Sequence, residues 1–355
     1  MLPVRNLNQK LKAVMRLGAA GLSYAAQMHR WRHRGKVIIL MYHRVLSTEN
    51  LCEESIQAGM YVRDVVFRRQ MEFVRSHFTV VPLGELVRLW QCSQLDTKAT
   101  YCAVTFDDGW QDNYLHAYPV LKELGVPATV FLPTDFVGTA RWFWPDLLAR
   151  VIGAVSDKSN SGEAESQMRA VLDEYFGGQP ITLPDGPIGK SGFADQLIEH
   201  CKTIPPERTQ QLIESLACSF DVPLPTNRVI VNWEEVREMS QFGLTFGSHS
   251  CSHRIMTSLP NDQVVQELSH SRRVLLESGA SYTPIFCYPN GNSNETVQRL
   301  ARECGYEAAV GVGPGIGGDR PANWFNIPRV GIHDDISYTI PLFAFRMFGP
   351  LPAAA

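Results

Sequence analysis

The stretch TFDDG at residues 105–109 decides the fold class of this chain of 355 residues. It follows the apolar run at residues 102–104, so the sequence predicts a buried strand that delivers two adjacent carboxylates, Asp107 and Asp108, into a glycine turn. Because successive strand residues point to opposite sides, we expect these carboxylates to have different roles. Charged residues at a strand end are typical of a site at the carboxyl edge of a parallel sheet.

A second polar stretch, HSCSH at residues 249–253, follows the apolar segment 244–248. If it takes a helical turn, the imidazoles of His249 and His253 project from one side, since residues i and i+4 are neighbours on a helix. One carboxylate and two imidazoles form the set of three ligands typical of a catalytic metal site with open positions. A divalent metal lowers the pKa of its bound water, and the other carboxylate can take the proton. The two stretches together indicate metal-assisted hydrolysis.

Apolar, strand-like runs alternate with helical patterns around both stretches. The predicted strands are residues 37–41, 79–81, 103–106, 127–132, 244–248, 284–288, 308–312 and 327–332. The predicted helices between them are residues 65–76, a helix beginning at residue 83, and residues 114–124, 261–278 and 293–303. This alternation predicts an α/β fold with a mainly parallel sheet, open or closed into a barrel.

Residues 138–232 interrupt the alternation. Helical patterns dominate there, at residues 144–155, 163–175, 194–201 and 207–220. A segment of this length is too long for an ordinary connection, so the sequence predicts a helical insertion. We expect it over the open ends of the strands, where it would shape a substrate cleft. A packing elaboration with no role in the site is the open alternative.

The amino terminus differs in charge from the rest of the chain. Residues 1–36 carry eight basic residues and no acidic one, with apolar residues at helical spacing. One interpretation is a basic amphipathic helix on an anionic membrane surface. The alternatives are a helix packed against the main domain, 37–335, and a cleaved signal peptide. Residues 336–355 are predicted to be a carboxyl-terminal tail.

The composition excludes some classes of protein. A net charge of -3 argues against a nucleic-acid binder. The eight cysteines include no Cys-x-x-Cys pair and are interpreted as reduced, which favours a compartment that faces the cytosol. No apolar run reaches the roughly 20 residues that a membrane span needs. We therefore expect a cytoplasmic protein or one peripheral to the inner membrane, with export as an open alternative.

TFDDG and HSCSH resemble the first two motifs of the polysaccharide deacetylases, the NodB-homology group of carbohydrate esterases, and the exopolysaccharide-type branch in particular. The resemblance covers most of residues 37–335 apart from the insertion. It implies a distorted (β/α) barrel and a divalent metal, commonly Zn²⁺. It also implies that Asp107 is the catalytic base and that the metal ligands are Asp108, His249 and His253.

The stretch FCYPNG at residues 286–291 resembles the groove loop of this family, which often carries an arginine where Cys287 stands. A Pro-x-Gly loop after a strand is suited to expose a backbone N–H to a developing oxyanion. The candidate residues for this substrate contact are Tyr288, Pro289 and Asn290, with Asn290 as the donor. A plain turn is the alternative.

Two further residues are candidates beside the base. Arg329 resembles an arginine of the exopolysaccharide branch and could supply the charge that orients Asp107. His43 ends the first predicted strand, on the side where strand ends place catalytic groups. It is expected to line the pocket, and a packing role is equally open.

His333 is the candidate general acid, because it follows the last predicted strand where many family members have a histidine. Its neighbours Asp334 and Asp335 could raise its pKa, which suits an acid that must be protonated near neutrality. The alternative is a histidine in a surface loop.

These features predict a hydrolase that removes N-acetyl groups from the amino sugars of a polysaccharide. One alternative keeps the chemistry and places the enzyme at the membrane face, on a lipid-linked amino sugar. An alternative of another class is a catalytically inactive carbohydrate-binding domain. The complete set of base and ligands argues against this alternative, since a binder needs no base beside a metal.

Overall fold

The computed structural model describes residues 4–25, 36–53, 56, 59–158, 162–176, 192–313, 316–317 and 320–348. The chain divides into two compact units. The first comprises Met1–Thr48, Ala58–Thr139 and Ile230–Ala355, and the second Glu49–Gln57 and Ala140–Val229.

The strands are, in chain order, β1 (Val37–Tyr42), β2 (Arg44–Leu46), β3 (Tyr61–Arg63), β4 (Thr79–Val80), β5 (Tyr101–Phe106), β6 (Ala128–Leu132), β7 (Leu244–Ser248), β8 (Tyr282–Cys287), β9 (Ala308–Val310), β10 (Ile316–Gly317) and β11 (Val330–Gly331). The α-helices are α1 (Val4–Ala25), α2 (Thr48–Glu53), α3 (Asp64–His77), α4 (Leu83–Gln91), α5 (Tyr118–Leu124), α6 (Trp144–Lys158), α7 (Gly162–Phe176), α8 (Phe193–Cys201), α9 (Pro206–Ser219), α10 (Trp233–Ser240), α11 (Asn261–Glu277), α12 (Glu295–Glu303), α13 (Asp334–Ser337) and α14 (Ile340–Phe348).

The first unit is built on a curled, mostly parallel sheet with the order β10-β1-β5-β6-β7-β8-β9. β10 runs antiparallel to β1, whereas β5 to β9 follow one another in parallel. Residues 327–331 lie between the far edge and β1: Ile327 forms a parallel bridge with Val310, and β11 pairs in parallel with β1. The structure confirms the predicted α/β class and the distorted (β/α) barrel.

The apolar character of the strands explains this arrangement. β1, β5 and β6 are buried at every position, as expected for parallel strands covered on both faces. The register pairs Tyr42 with Phe106 and Leu132 with Ser248, so the residues after β1, β5 and β7 emerge at one edge of the sheet. This carboxyl edge is where the sequence places its polar stretches.

The second unit is helical. Helices α6 to α9 enclose an apolar core of their own, built from residues such as Leu148, Met168, Leu197 and Leu212. These helices lie within one to three residues of their predicted bounds. The place of this insertion over the strand ends, and its part in a cleft, stay predictions.

Some elements differ from the sequence analysis. Residues 113–117 form a π-helix before α5, where a single α-helix was expected. α10 was not predicted, although Asn232 and Glu235 form a capping box at its start, a signal that the sequence contains. In the expected carboxyl-terminal tail, α14 buries Phe343 and Met347.

α1 packs along α14 in the first unit. Ala20 is fully buried, and the ring of Tyr24 lies 6.3 Å from that of Phe73. The exposed fraction is 66% for Met15 and 76% for Leu22, so another part of the helix surface presents apolar side chains to solvent. The alternative of a helix packed against the main domain therefore holds for only one face of α1. None of the described helices is apolar over a length that would cross a bilayer.

Candidate active site

The turn after β5 separates the two carboxylates. The ladder with β1 continues for one hydrogen bond, from the Asp107 N–H to the Tyr42 carbonyl at 2.9 Å. Asp108 and Gly109 then take left-handed backbone conformations, with φ of 72° and 66°. A Cβ on Gly109 would lie 2.4 Å from the Leu132 side chain, so glycine is required for space as well as for conformation. Both carboxylates are buried, and they have different partners.

Asp107 forms a bidentate ion pair with Arg329, with N–O distances of 2.6 and 2.7 Å. The guanidinium is 1% exposed and also donates to the Thr105 hydroxyl at 3.0 Å, the Gly311 carbonyl at 3.2 Å and the Cys287 sulfur at 3.1 Å. Arg329 thus makes the contact with Asp107 that the sequence analysis expects. Cys287, where the family often has arginine, contacts this substitute guanidinium.

Electrostatics keeps Asp107 ionised. Burial by itself would raise the pKa of this carboxyl, but the charge and hydrogen bonds of Arg329, with smaller contributions from His249 and His43, hold it below its usual value. An ionised, oriented carboxylate is the state that a general base needs.

Asp108 faces the two imidazoles. Its Oδ1 atom lies 3.3 Å from His249 Nε2 and 3.1 Å from His253 Nε2. The Nδ1 atom of His249 lies 2.9 Å from the Cys287 carbonyl, which can only accept, so Nδ1 carries a proton and Nε2 faces Asp108 with either a lone pair or a second proton. A lone pair beside a carboxylate oxygen requires a proton or a metal cation between them. The donor set therefore fits a metal with nitrogen and oxygen ligands.

The pKa values reflect this need for a cation. Burial would raise the pKa of Asp108, yet hydrogen bonds from His249 and His253 hold it well below its usual range. Burial would lower the pKa of His249, yet Cys287 and Asp108 raise it well above its usual range. Burial lowers the pKa of His253 instead, so the surroundings of Asp108 favour one positive charge on the side of His249.

The two imidazoles meet without a helical turn, contrary to the condition stated in the sequence analysis. Residues 249–253 form an irregular loop in which Ser250 and His253 have φ of 66° and 58°. The Ser250 hydroxyl accepts the His253 N–H at 3.0 Å, and Glu267 accepts the N–H groups of Cys251 and Ser252 at 2.8 and 2.9 Å. The ring centroids come within 4.8 Å. Glu267 lies on α11 and shares no motif with the loop, so no local pattern in the sequence indicates its role.

Two other groups in the described part of the chain bring potential metal ligands together, and in each an arginine contacts at least one member. Asp107, His249 and Cys287 form one, but the Arg329 guanidinium already occupies the position of a cation there. The second group consists of Asp135, Cys251 and His270, and Arg273 donates to the His270 ring at 2.8 Å. The set of Asp108, His249 and His253 is therefore the best candidate metal site.

The groove loop lies at the end of β8. The Tyr288 side chain is buried and donates to the Phe325 carbonyl at 2.8 Å, so its phenol serves packing and does not face a substrate. Pro289 is buried and has no N–H to donate. Asn290 is exposed and has a left-handed backbone, with φ of 57° and ψ of 9°. Of the three residues, only Asn290 is exposed, and its role as oxyanion donor stays a prediction.

The two candidate histidines also follow strands of this edge. His43, directly after β1, acts electrostatically on both Asp107 and Asp108, which places it beside the site. His333 follows β11 and precedes α13, and its Nδ1 atom contacts the Asp335 carboxylate. Asp334 instead pairs with Arg63 at 2.9 Å. Only one of the two expected acidic neighbours therefore contacts the His333 ring.

The comparison with known families agrees with this geometry. The profile of the family described as polysaccharide deacetylase matches residues 94–157 and 209–309. The chain belongs to the polysaccharide deacetylase family. Its members are hydrolases of N-acetyl amide bonds and are generally metal-dependent. The gap between the two matched segments falls within the helical unit.

Two curated proteins are similar to this polysaccharide deacetylase. A Bacillus subtilis (strain 168) protein named as a polysaccharide deacetylase, YxkH, is 23% identical over 305 residues, which cover 85% of this chain and 73% of that protein. The poly-beta-1,6-N-acetyl-D-glucosamine N-deacetylase of Staphylococcus epidermidis is 27% identical over 125 residues, 33% of this chain and 43% of that one.

Solved structures of deacetylases have the same fold. The Streptococcus pyogenes deacetylase PplD aligns with a TM-score of 0.53 at 18% identity, over 85% of this chain and 95% of that one. IcaB from Ammonifex degensii aligns with a TM-score of 0.54 at 17% identity, over 89% of this chain and 99% of that one.

The ion pair between Asp107 and Arg329 gives a prediction about stability. Arg329→Met should destabilise the protein by about 3–5 kcal/mol, because it leaves a buried carboxylate without its cation. The double variant Asp107→Asn/Arg329→Met should lose less free energy of unfolding than Arg329→Met alone, because it no longer buries an unpaired charge. Urea unfolding followed by circular dichroism measures both. The control Arg320→Met changes an exposed arginine and should cost less than about 0.5 kcal/mol. A double variant no more stable than Arg329→Met would contradict the argument.

Proposed function

We propose that this chain removes N-acetyl groups from the amino sugars of an exopolysaccharide, with Asp107 as the base and Asp108, His249 and His253 as ligands of a Zn²⁺ ion. The single observation that carries this proposal is the division of the two adjacent carboxylates. Asp108 points one oxygen at two imidazoles, whereas Asp107 binds a guanidinium. A ligand and a base side by side are what hydrolysis at a metal requires.

Zinc suits this set of one carboxylate and two imidazoles, and when bound it would polarise the acyl carbonyl and make water more acidic. Asp107 takes a proton from the attacking water. Arg329 keeps that carboxylate ionised and fixes its orientation through both oxygens. Each carboxylate oxygen keeps a second lone pair, so Asp107 can accept from water while it stays bound to Arg329.

The later steps use the loops at the same sheet edge. The backbone N–H of Asn290 stabilises the tetrahedral oxyanion, and His333 donates a proton to the leaving amine as the C–N bond breaks. The products are acetate and the free amino sugar. His43 lines the site beside the two carboxylates. The name of the Staphylococcus epidermidis relative supports an N-acetylglucosamine polymer as substrate.

Asp107→Asn and His253→Ala should separate the base from the ligand. Asp107→Asn should lower acetate release from N-acetylglucosamine oligomers about 10²–10⁴-fold, the usual contribution of a general base, and should leave the zinc content unchanged. His253→Ala should lose zinc, because it removes one of three ligands. Metal analysis and an acetate assay on the same samples test both. Unchanged zinc content in His253→Ala would refute the ligand set.

A zinc-loaded wild type that binds glycan but releases no acetate would favour the alternative of an inactive carbohydrate-binding domain.

His333→Ala tests the general acid. It should lower turnover of N-acetylglucosamine oligomers by about 10²-fold or more, because an amine leaves poorly without a proton. It should hardly affect hydrolysis of p-nitrophenyl acetate, whose leaving group needs no protonation. The control His77→Ala changes an exposed histidine on α3. An equal loss on both substrates, or no loss on either, would mean that His333 is not the acid.

We also propose peripheral contact of α1 with an anionic membrane, where a lipid-linked amino sugar would be within reach. Met15 and Leu22 are exposed beside Lys12 and Arg16, and residues 1–36 contain no acidic side chain. Apolar side chains with flanking cations are the pattern of a helix that lies on a bilayer surface.

Sedimentation with lipid vesicles tests this contact. The protein should sediment with phosphatidylglycerol vesicles, less with phosphatidylcholine vesicles, and less at high salt, which screens the charges. Leu22→Ser should weaken the binding. The control Leu115→Ser changes another exposed leucine and should not. Equal sedimentation of both variants would contradict a role of α1.

A further inference from the structure

Asp108 has a third partner besides the two imidazoles. Its Oδ2 atom accepts a hydrogen bond from the indole N–H of Trp110 at 3.0 Å. Its Oδ1 atom is the one that faces His249 and His253. The two oxygens are thus divided between the indole and the ligand side. Since Trp110 is 1% exposed, water does not compete for this bond. The indole therefore fixes the rotation of the carboxylate that presents Oδ1.

The Trp110 ring is itself held in place. The Arg44 guanidinium lies over it, with the carbon atom Cζ 4.4 Å from the ring centroid. The Nε atom of Arg44 donates to Asp112 Oδ2 at 2.8 Å, and the side chains of this ion pair are only 8% and 7% exposed. A guanidinium stacked on an indole and paired with a carboxylate has little freedom to rotate. The backbone of Trp110 also pairs with Ile230 in an isolated antiparallel bridge.

The same ion pair joins the segment after the TFDDG turn to β2, which follows β1. Asp112 Oδ1 accepts the Val45 N–H at 2.9 Å, and the Asn113 side chain donates to the His43 carbonyl at 2.8 Å. His43, Arg44 and Val45 are therefore all hydrogen-bonded to the segment that follows the metal-ligand turn. Movement of that segment would displace His43 and Asp108 together.

Stability alone does not account for this arrangement. A buried ion pair gains little net free energy, because the desolvation of both charges offsets their attraction. What the arrangement does supply is orientation. Groups that hydrogen-bond to a metal ligand fix its geometry and change metal affinity by about 10–100-fold when they are removed.

We propose that Trp110 is a positioning residue for Asp108, and that the Arg44–Asp112 pair holds Trp110 in the orientation that sets the affinity of the metal site. The inference rests on the metal site in the proposed function. It assigns no contact with the substrate to Trp110, Arg44 or Asp112.

Trp110→Phe tests the proposal, because it keeps an aromatic ring under Arg44 and removes the indole N–H. It should weaken Zn²⁺ binding about 10–100-fold. Competition with a chromophoric zinc chelator measures the affinity. The matched control is Trp90→Phe, since Trp90 is equally buried in the same unit, at 2% exposure, and its indole nitrogen has no partner within the described ranges. Trp90→Phe should bind zinc as the wild type does.

A second variant covers the case in which Trp110→Phe folds poorly. Arg44→Lys keeps a positive charge for Asp112 but removes the planar guanidinium over the indole, and it should weaken zinc binding several-fold. Thermal unfolding of the zinc-free proteins shows whether each variant is folded. Unchanged zinc affinity in a folded Trp110→Phe or Arg44→Lys protein overturns the proposal.

The NMR signal of the indole N–H is a further test, because it would not respond to zinc if Trp110 only contributed to packing. Adding Zn²⁺ to the wild type should shift the Trp110 signal, identified by its loss in Trp110→Phe, and leave the Trp90 signal in place. If the wild type binds zinc but its Trp110 signal does not shift, the positioning role is overturned and the metal site is not. A wild type that binds no zinc would overturn the metal site and with it this inference.

Discussion

The buried ion pair between Asp107 and Arg329 connects two segments of the first unit that lie far apart in the sequence. It connects the end of β5 to residues 327–331, the segment that bridges β9 and β1 and completes the curled sheet. Two charges at this depth are tolerable only because each satisfies the other through paired hydrogen bonds. The same contact decides which carboxylate stays anionic and immobile. The contact that links these segments is therefore also the one that orients Asp107, the proposed base.

Because Arg329 neutralises Asp107, the charge that remains to be balanced in the site is that of Asp108. Asp108 is left with one negative charge in a buried position, opposite the Nε2 atoms of His249 and His253. The backbone carbonyl of Cys287 fixes the His249 tautomer, and the Trp110 indole occupies the second oxygen of Asp108. With these atoms already bonded to Cys287 and Trp110, the charge on Asp108 Oδ1 is left to be balanced by a cation. In the proposed metal site, the preference for a cation comes from these surroundings as much as from the three candidate ligands.

The sequence predicted what depends on local pattern. Apolar runs placed β1, β5 and β7 to within two residues, and the polar residues after them indicated the sheet edge that carries the site. The loop at 249–253 could not be predicted, because positive φ at Ser250 and His253 is stabilised by hydrogen bonds from distant groups such as Glu267. The same limit applies to Trp110 and Arg44, whose roles arise only when β1 and β5 pair. The capping box of α10 was a local signal that went unused.

Cys287 touches both halves of the site: its carbonyl holds the ring of His249, and its sulfur receives a hydrogen bond from Arg329. The groove loop that residues 286–291 resemble often carries an arginine at this position. In this chain a second guanidinium there would meet Arg329 inside a buried pocket with one carboxylate to share. An arginine at 287 and an arginine at 329 are therefore expected as alternatives. A single substitution at either position would leave the pocket with two guanidinium groups or with none. Residues 287 and 329 are expected to change together in evolution, although 42 positions separate them in the chain.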